Sequence, residues 1–173
     1  MKDKRKGFTI IELLTVLLIL GILMAIAVPG IMAISNRLKE RGLESKKNAI
    51  TEAAVVYAQE NSNKIKAKLG KCTEPNDHCE CDRQDEHGEY TDCKYYFTIT
   101  VDDLIRVGSY KTEKSGKGDE VCDVTDPRES TLCLDCVPIL VKLDDDYKNA
   151  TAEIKNEDIK DGKTTCEKSS IVN

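Results

Sequence analysis

The 173 residues carry 26 basic and 31 acidic side chains, a net charge of −5, and so acidic a chain has no bulk affinity for nucleic acid phosphates. Tryptophan is absent and Phe97 is the only Phe after residue 8, so any core beyond the amino-terminal segment is modest. The sequence contains no internal repeat and no low-complexity tract.

The chain opens on Lys2, Lys4, Arg5 and Lys6 against a single acid, Asp3, and then turns apolar. From Phe8 to Ile34 the only formally charged side chain is Glu12. A leader of seven residues is too short to hold the apolar stretch of a secretory signal peptide. That stretch lies after Gly7 and exceeds the roughly 20 residues that cross a bilayer as helix. The basic leader predicts a cytoplasmic amino end, with the remainder outside. Gly7-Phe8-Thr9-Ile10-Ile11-Glu12 at this junction resembles the type III signal of type IV pilins and pseudopilins.

The resemblance covers roughly the first fifty residues. It implies cleavage between Gly7 and Phe8 by a prepilin peptidase, and methylation of the new amino terminus on Phe8. Glu12 becomes the fifth mature residue, and Gly21 and Pro29 also match family positions. Phe8, Glu12, Gly21 and Pro29 are then the assembly residues. A carboxylate inside a membrane helix costs about 2.5–3.5 kcal/mol on insertion scales, and Lys and Arg are absent between Gly7 and Asn36. Cleavage creates the missing cation as the α-amine of Phe8, which is largely protonated at neutral pH. Within one helix Glu12 reaches its own terminus with difficulty; in the family it pairs with that of a neighbouring subunit. A plain helix-start carboxylate, favoured by the macrodipole, accounts for Glu12 but not for the Gly7-Phe8 step beside it. A simple signal anchor also fits the apolar run and the basic flank.

Pro29-Gly30 is expected to interrupt the helix, because Pro29 supplies no amide and crowds the preceding turn. Gly21 is the other weak point. Beyond Ser35 the sequence becomes charged while helical periodicity persists. Ile50, Ala53, Ala54, Tyr57 and Ala58 share one face, against Lys46, Lys47, Glu52, Gln59 and Glu60. A helix from Phe8 to about Glu60 spans roughly 80 Å. Asn61-Ser62-Asn63 reads as a break and Gly70 as a firm end.

In the remainder, Tyr95, Phe97 and Ile99 alternate with Tyr96, Thr98 and Thr100, the pattern of a half-buried strand. Thr100 then caps one or two helical turns ending at Gly108. Val137 to Leu143 is the best later strand, and Thr151 to Lys155 can pair with it across the Asp144-Asp145-Asp146 turn.

Eight cysteines, Cys72, Cys79, Cys81, Cys93, Cys122, Cys133, Cys136 and Cys166, all lie after the apolar helix. An even count in an exported, aromatic-poor domain predicts a disulfide framework of four bridges. The 105 possible pairings stay open, although Cys166 is placed to tie the tail to the head. Metal binding is the sharper alternative, with His78, Cys79 and Cys81 clustered near Cys72, His87 and Cys93, and with Cys133 and Cys136 at zinc-like spacing. The first group is irregular and an oxidising exterior favours disulfides, so no metal and no cofactor are expected. Cys133-Leu134-Asp135-Cys136 lacks the strand pattern of a thioredoxin-like redox pair. No catalytic constellation is present: His78 and His87 fall in a polar cysteine-rich loop, and Ser115-Gly116-Lys117-Gly118 is a surface turn. Asp144 to Asp146 reads as a solvated hairpin, and Asn149-Ala150-Thr151 matches a glycosylation sequon.

The expected class is α+β: a long amino-terminal helix packed on a small antiparallel, disulfide-rich head. The divisions are 1–7, a cleaved leader; 8–34, the hydrophobic membrane and assembly half of the helix; 35–68, its amphipathic half; and 69–173, an extracytoplasmic head. Without the leader, 22 basic residues face 30 acidic ones, a net of −8. The resemblance implies a non-enzymatic structural subunit of a type IV pilus-like filament. Its partners are itself or related pilins, the prepilin peptidase, and a membrane platform driven by a cytoplasmic ATPase. It is a single-pass protein of the cytoplasmic membrane before assembly and part of an extracellular filament afterwards, without direct nucleic-acid binding. The alternatives are a pseudopilin of a type II secretion or competence system, and a membrane-anchored binding module that never polymerises.

Overall fold

A computed structural model describes residues 8–74, 76–113, 122–129, 131–144, 146–161, 166, 169 and 171–172. The elements in chain order are α1 (Ile10–Glu60), α2 (Ser62–Leu69), β1 (Cys79–Gln84), β2 (Tyr90–Thr100), α3 (Val101–Arg106), β3 (Pro138–Leu143), β4 (Ala150–Glu153) and a 3-10 helix (Asn156–Asp161). Two compact units divide the chain, one ending at Arg41 and the other beginning at Gly42.

In the first unit, α1 is apolar on every side up to Ile34, apart from Glu12, and exposes Ile10, Leu13, Leu17, Ile26 and Ile31 alike. Its best window has a mean hydropathy of 2.8, with none of that window buried. The expected interruption at Pro29-Gly30 does not occur, because α1 is helical through both residues. Pro29 withdraws only the amide that would bond the Ala25 carbonyl. Opening the helix there would strand further backbone groups in an apolar stretch, which costs more than one lost bond.

The second unit places the rest of α1 against a four-stranded antiparallel sheet of order β1-β2-β3-β4. Leu43, Ile50, Ala54, Tyr57 and Ala58 form the buried helix face at helical spacing. Period-two alternation in β2 turns Cys93, Tyr95, Phe97 and Ile99 toward the same core. β3 does the same with Ile139, Val141 and Leu143, and register sets Phe97 opposite Val141 and Ile99 opposite Ile139. Ile65 of α2 completes the layer. The break falls at Asn61, and Gly70 ends α2 with a φ of 74° and an N–H bond to the Lys66 carbonyl of 2.9 Å.

β1 and the first half of β2 are the main departure from the sequence reading. The polar cysteine-rich stretch forms a hairpin rather than the loop its composition predicts, and it pairs Cys79 with Tyr95 and Cys81 with Cys93. His87 sits in the tight Asp85–Glu89 connection, where Asp85 Oδ1 accepts the His87 and Glu89 amides. The strand was hidden because Glu80, Asp82, Arg83 and Gln84 are poor strand formers. They are exposed here, and charge on an edge strand suits its unpaired side.

Thr100 caps α3 through a reciprocal capping box with Asp103. The long connection from α3 to β3 returns to α1. There the Lys46 ammonium donates to Glu113 Oε2 and to the Thr125 carbonyl, and Pro127 stands beside Gly42, where an added Cβ would meet Pro127 Cβ at 3.2 Å.

Candidate functional site

The amino-terminal residues form a local structure of their own. Thr9 precedes the first helical residue, and Glu12 Oε2 accepts hydrogen bonds from Thr9 N and Thr9 Oγ1, each at 2.9 Å. In return the Glu12 amide donates to Thr9 Oγ1 at 3.3 Å. This is a capping box, in which two otherwise orphaned amides are satisfied by the cap and by the third helical residue. The Thr-x-x-Glu spacing in Thr9-Ile10-Ile11-Glu12 carries that signal, and it gives the helix-start role of Glu12 a partner, Thr9, that the macrodipole alone does not name. Glu12 therefore has a structural task before any neighbour arrives. Phe8 lies immediately outside the box and is 80% exposed. Gly7 lies outside the described residues. Gly21 and Pro29 both sit inside α1, and a Cβ built on Gly21 finds nothing within 4 Å.

All eight cysteines of the head are paired: Cys72–Cys79, Cys81–Cys93, Cys122–Cys133 and Cys136–Cys166. Cys133 and Cys136 belong to different bridges, so their spacing makes neither a redox pair nor half of a zinc site. The sulfurs of Cys72, Cys81 and Cys93 nevertheless lie within 4.8 Å of one another. Bound in disulfides, they offer no thiolate to a metal. His78 and His87 are exposed and stand apart from that group.

Among the described residues three acids are buried, and each is occupied structurally. Asp103 accepts from Thr100 N and Thr100 Oγ1 and forms an ion pair with Arg106. Burial pushes the Asp126 carboxyl up, but hydrogen bonds from the Arg128 side chain and amide outweigh it and hold the group below its ordinary range. Burial also raises Asp135, and here the amides of Asp123 and Val124, at 3.0 and 2.7 Å, offset it only in part. These acids fix the turns of the long connection and the start of α3.

A family model described as the prokaryotic N-terminal methylation motif matches residues 2–28. The match covers the basic amino-terminal residues and the first part of α1, and it supports a segment of the type IV pilin-like prepilin kind, which a prepilin peptidase processes. No curated protein and no solved structure matches the chain.

Proposed function

We propose that the chain is a prepilin, cut between Gly7 and Phe8, methylated on Phe8 and polymerised through residues 8–34 into a type IV pilus-like filament. The observation that carries this reading is the apolar part of α1, bare on every side and bearing one carboxylate, Glu12, which falls within the methylation motif. A helix of that kind needs lipid first and other helices later. The division into leader, assembly half, amphipathic half and exported head follows from it.

Cleavage after Gly7 leaves the capping box whole, because Thr9 N remains an amide of the Phe8–Thr9 peptide bond. The new ammonium group therefore appears one residue outside a helix start that is already closed. Both bonds from Thr9 fall on Glu12 Oε2, so Oε1 is the oxygen that meets the amine of an adjacent copy. An uncut chain offers no such amine, and assembly is thereby coupled to processing. Gly21, open on all sides, lets a neighbouring helix approach closely. The single-pass state in the cytoplasmic membrane, the head outside and the platform machinery belong to the same proposal.

Amino-terminal sequencing of the protein from its source tests the processing step. A mature chain beginning at methylated Phe8 is expected; a chain still beginning at Met1 sinks the reading in favour of a plain anchor. Electron microscopy of sheared surface material then distinguishes a long pilus from the short rod of a pseudopilin.

A further inference from the structure

The first two disulfides of the head lie close together, three of their four sulfurs mutually within 4.8 Å. Cys81 and Cys93 face each other directly across the β1–β2 ladder, with Cα atoms 4.0 Å apart. Cys72 is brought over them from the end of α2, where its amide donates to the Tyr95 hydroxyl at 3.4 Å. The outcome is the three-sulfur cluster of Cys72, Cys81 and Cys93, mutually within 4.8 Å, although the bonds run Cys72–Cys79 and Cys81–Cys93. Access is unequal: Cys72, Cys79 and Cys93 are 5%, 4% and 3% exposed, whereas Cys81 is only partly covered.

We infer that Cys81 is an entry point for a low-molecular-weight thiol, and that Cys93 relays the exchange to Cys72. Thiol–disulfide exchange proceeds by attack of a thiolate on one sulfur and departure of the other, and access decides which sulfur is struck. An external thiolate attacks Cys81 Sγ, the Cys81–Cys93 bond breaks, and a mixed disulfide forms on Cys81. Cys93 leaves as a thiolate inside the core, already beside Cys72, where proximity replaces diffusion. It attacks Cys72 Sγ, the Cys72–Cys79 bond breaks, and Cys79 departs as a thiolate that takes a proton from water. Two disulfides and one thiol enter, and two disulfides and one thiol leave, so no oxidant is needed. The product holds the external thiol on Cys81, a new Cys72–Cys93 bridge and a free Cys79. The short closed loop from Cys72 to Cys79 is thereby opened, while Cys72, in the connection after α2, stays bonded to the sheet through Cys93. This chemistry is independent of filament assembly.

The test uses the intact, oxidised protein in native buffer, treated with rising glutathione, quenched in acid, blocked with N-ethylmaleimide and mapped by non-reducing peptide mass spectrometry. Among molecules carrying glutathione on Cys81, the Cys72–Cys93 peptide with N-ethylmaleimide on Cys79 is expected as the major pairing. Glutathione on Cys81 with Cys72–Cys79 intact and Cys93 blocked overturns the relay. So does first attack at any other of these four sulfurs, or native pairing that persists up to the glutathione concentration at which the head unfolds.

Discussion

The ring of Tyr95, from the middle of β2, lies 4.5 Å from that of Tyr147 in a tilted stack. The two hydroxyls hold the connection between α2 and β1 from either side. Tyr147 Oη donates to the Gly70 carbonyl at 3.2 Å, and Tyr95 Oη accepts the Cys72 amide. The Lys66 ammonium stands 5.3 Å from the Tyr147 ring centre, within cation–π range. Tyr147 reaches this place with a φ of 58°, a conformation that a bulky residue adopts only when its surroundings compensate.

Tyr147→Phe removes one hydrogen bond and keeps the stack, so a loss of about 1 kcal/mol is expected. Tyr147→Ala removes a buried aromatic ring as well and should cost about 3–5 kcal/mol. Denaturant titration of the head reads both, with the slope unchanged if only stability is altered. Equal losses for the two variants would mean that the ring contributes nothing beyond its hydroxyl.

Glu12 carries two roles, and two substitutions separate them. Glu12→Gln retains an acceptor for Thr9, so the helix start survives, but the negative charge is gone. Glu12→Ala removes both the charge and the acceptor that closes the box on Thr9. Both variants should be processed and accumulate in the membrane without entering filaments, as judged by shearing and electron microscopy. Filaments from Glu12→Gln at the wild-type level would show that capping, not charge, is what assembly requires.

The four bridges close loops of unequal size, and their removal should rank accordingly. Cys136–Cys166 spans 30 residues, against 7 for Cys72–Cys79. Loop-closure entropy then gives about 3.5 kcal/mol for the former and about 2.5 for the latter. Cys136→Ser with Cys166→Ser should also release the tail, whose Ser169 hydroxyl donates to the Thr98 carbonyl at 2.9 Å. Hydrogen exchange at the carboxyl end measures that release. A smaller loss than for the Cys72/Cys79 pair would contradict the ranking.

Acid should weaken the head through Asp126. Its folded carboxyl titrates below the ordinary value of 3.8, so the folded state binds fewer protons than the unfolded one as pH falls. The pair's stabilisation is complete above that ordinary value and is lost as pH drops through the lower folded one. Asp135, held above its ordinary value, slopes the opposite way, and the contrast with Arg128→Ala isolates Asp126. Arg128→Ala should lose about 1–3 kcal/mol at neutral pH, with a gap that narrows as pH falls below the ordinary value of 3.8 and wild-type Asp126 takes up its proton. A gap constant with pH would rule out the ion pair as its source.

Where local pattern and tertiary packing agreed, the sequence was legible. β2 from Tyr95 onward, the Thr100 cap, β3, the β3–β4 pairing and the buried face through Ile50, Ala54, Tyr57 and Ala58 all follow from periodicity and turn chemistry. β1 was not legible, because Cys79-Glu80-Cys81-Asp82-Arg83-Gln84 becomes a strand through its pairing with β2 rather than by propensity. The bridges were legible as a framework but not as pairs, since contacts between distant residues such as Cys136 and Cys166 leave no trace in spacing. Pro29 misled for the converse reason: a local rule about one missing amide was set against a long helix whose other bonds survive.

No bridge includes a residue before Cys72, so α1 and α2 are joined to the sheet by packing and hydrogen bonds alone. Mechanical tension would therefore divide the chain into parts that yield and parts that do not. The Ile50 and Tyr57 face can peel from the sheet, but the segments closed by Cys72–Cys79, Cys81–Cys93, Cys122–Cys133 and Cys136–Cys166 cannot lengthen. Beyond the helix, tension can draw out residues 94–121, which no bridge encloses, while the four closed segments add nothing to the length.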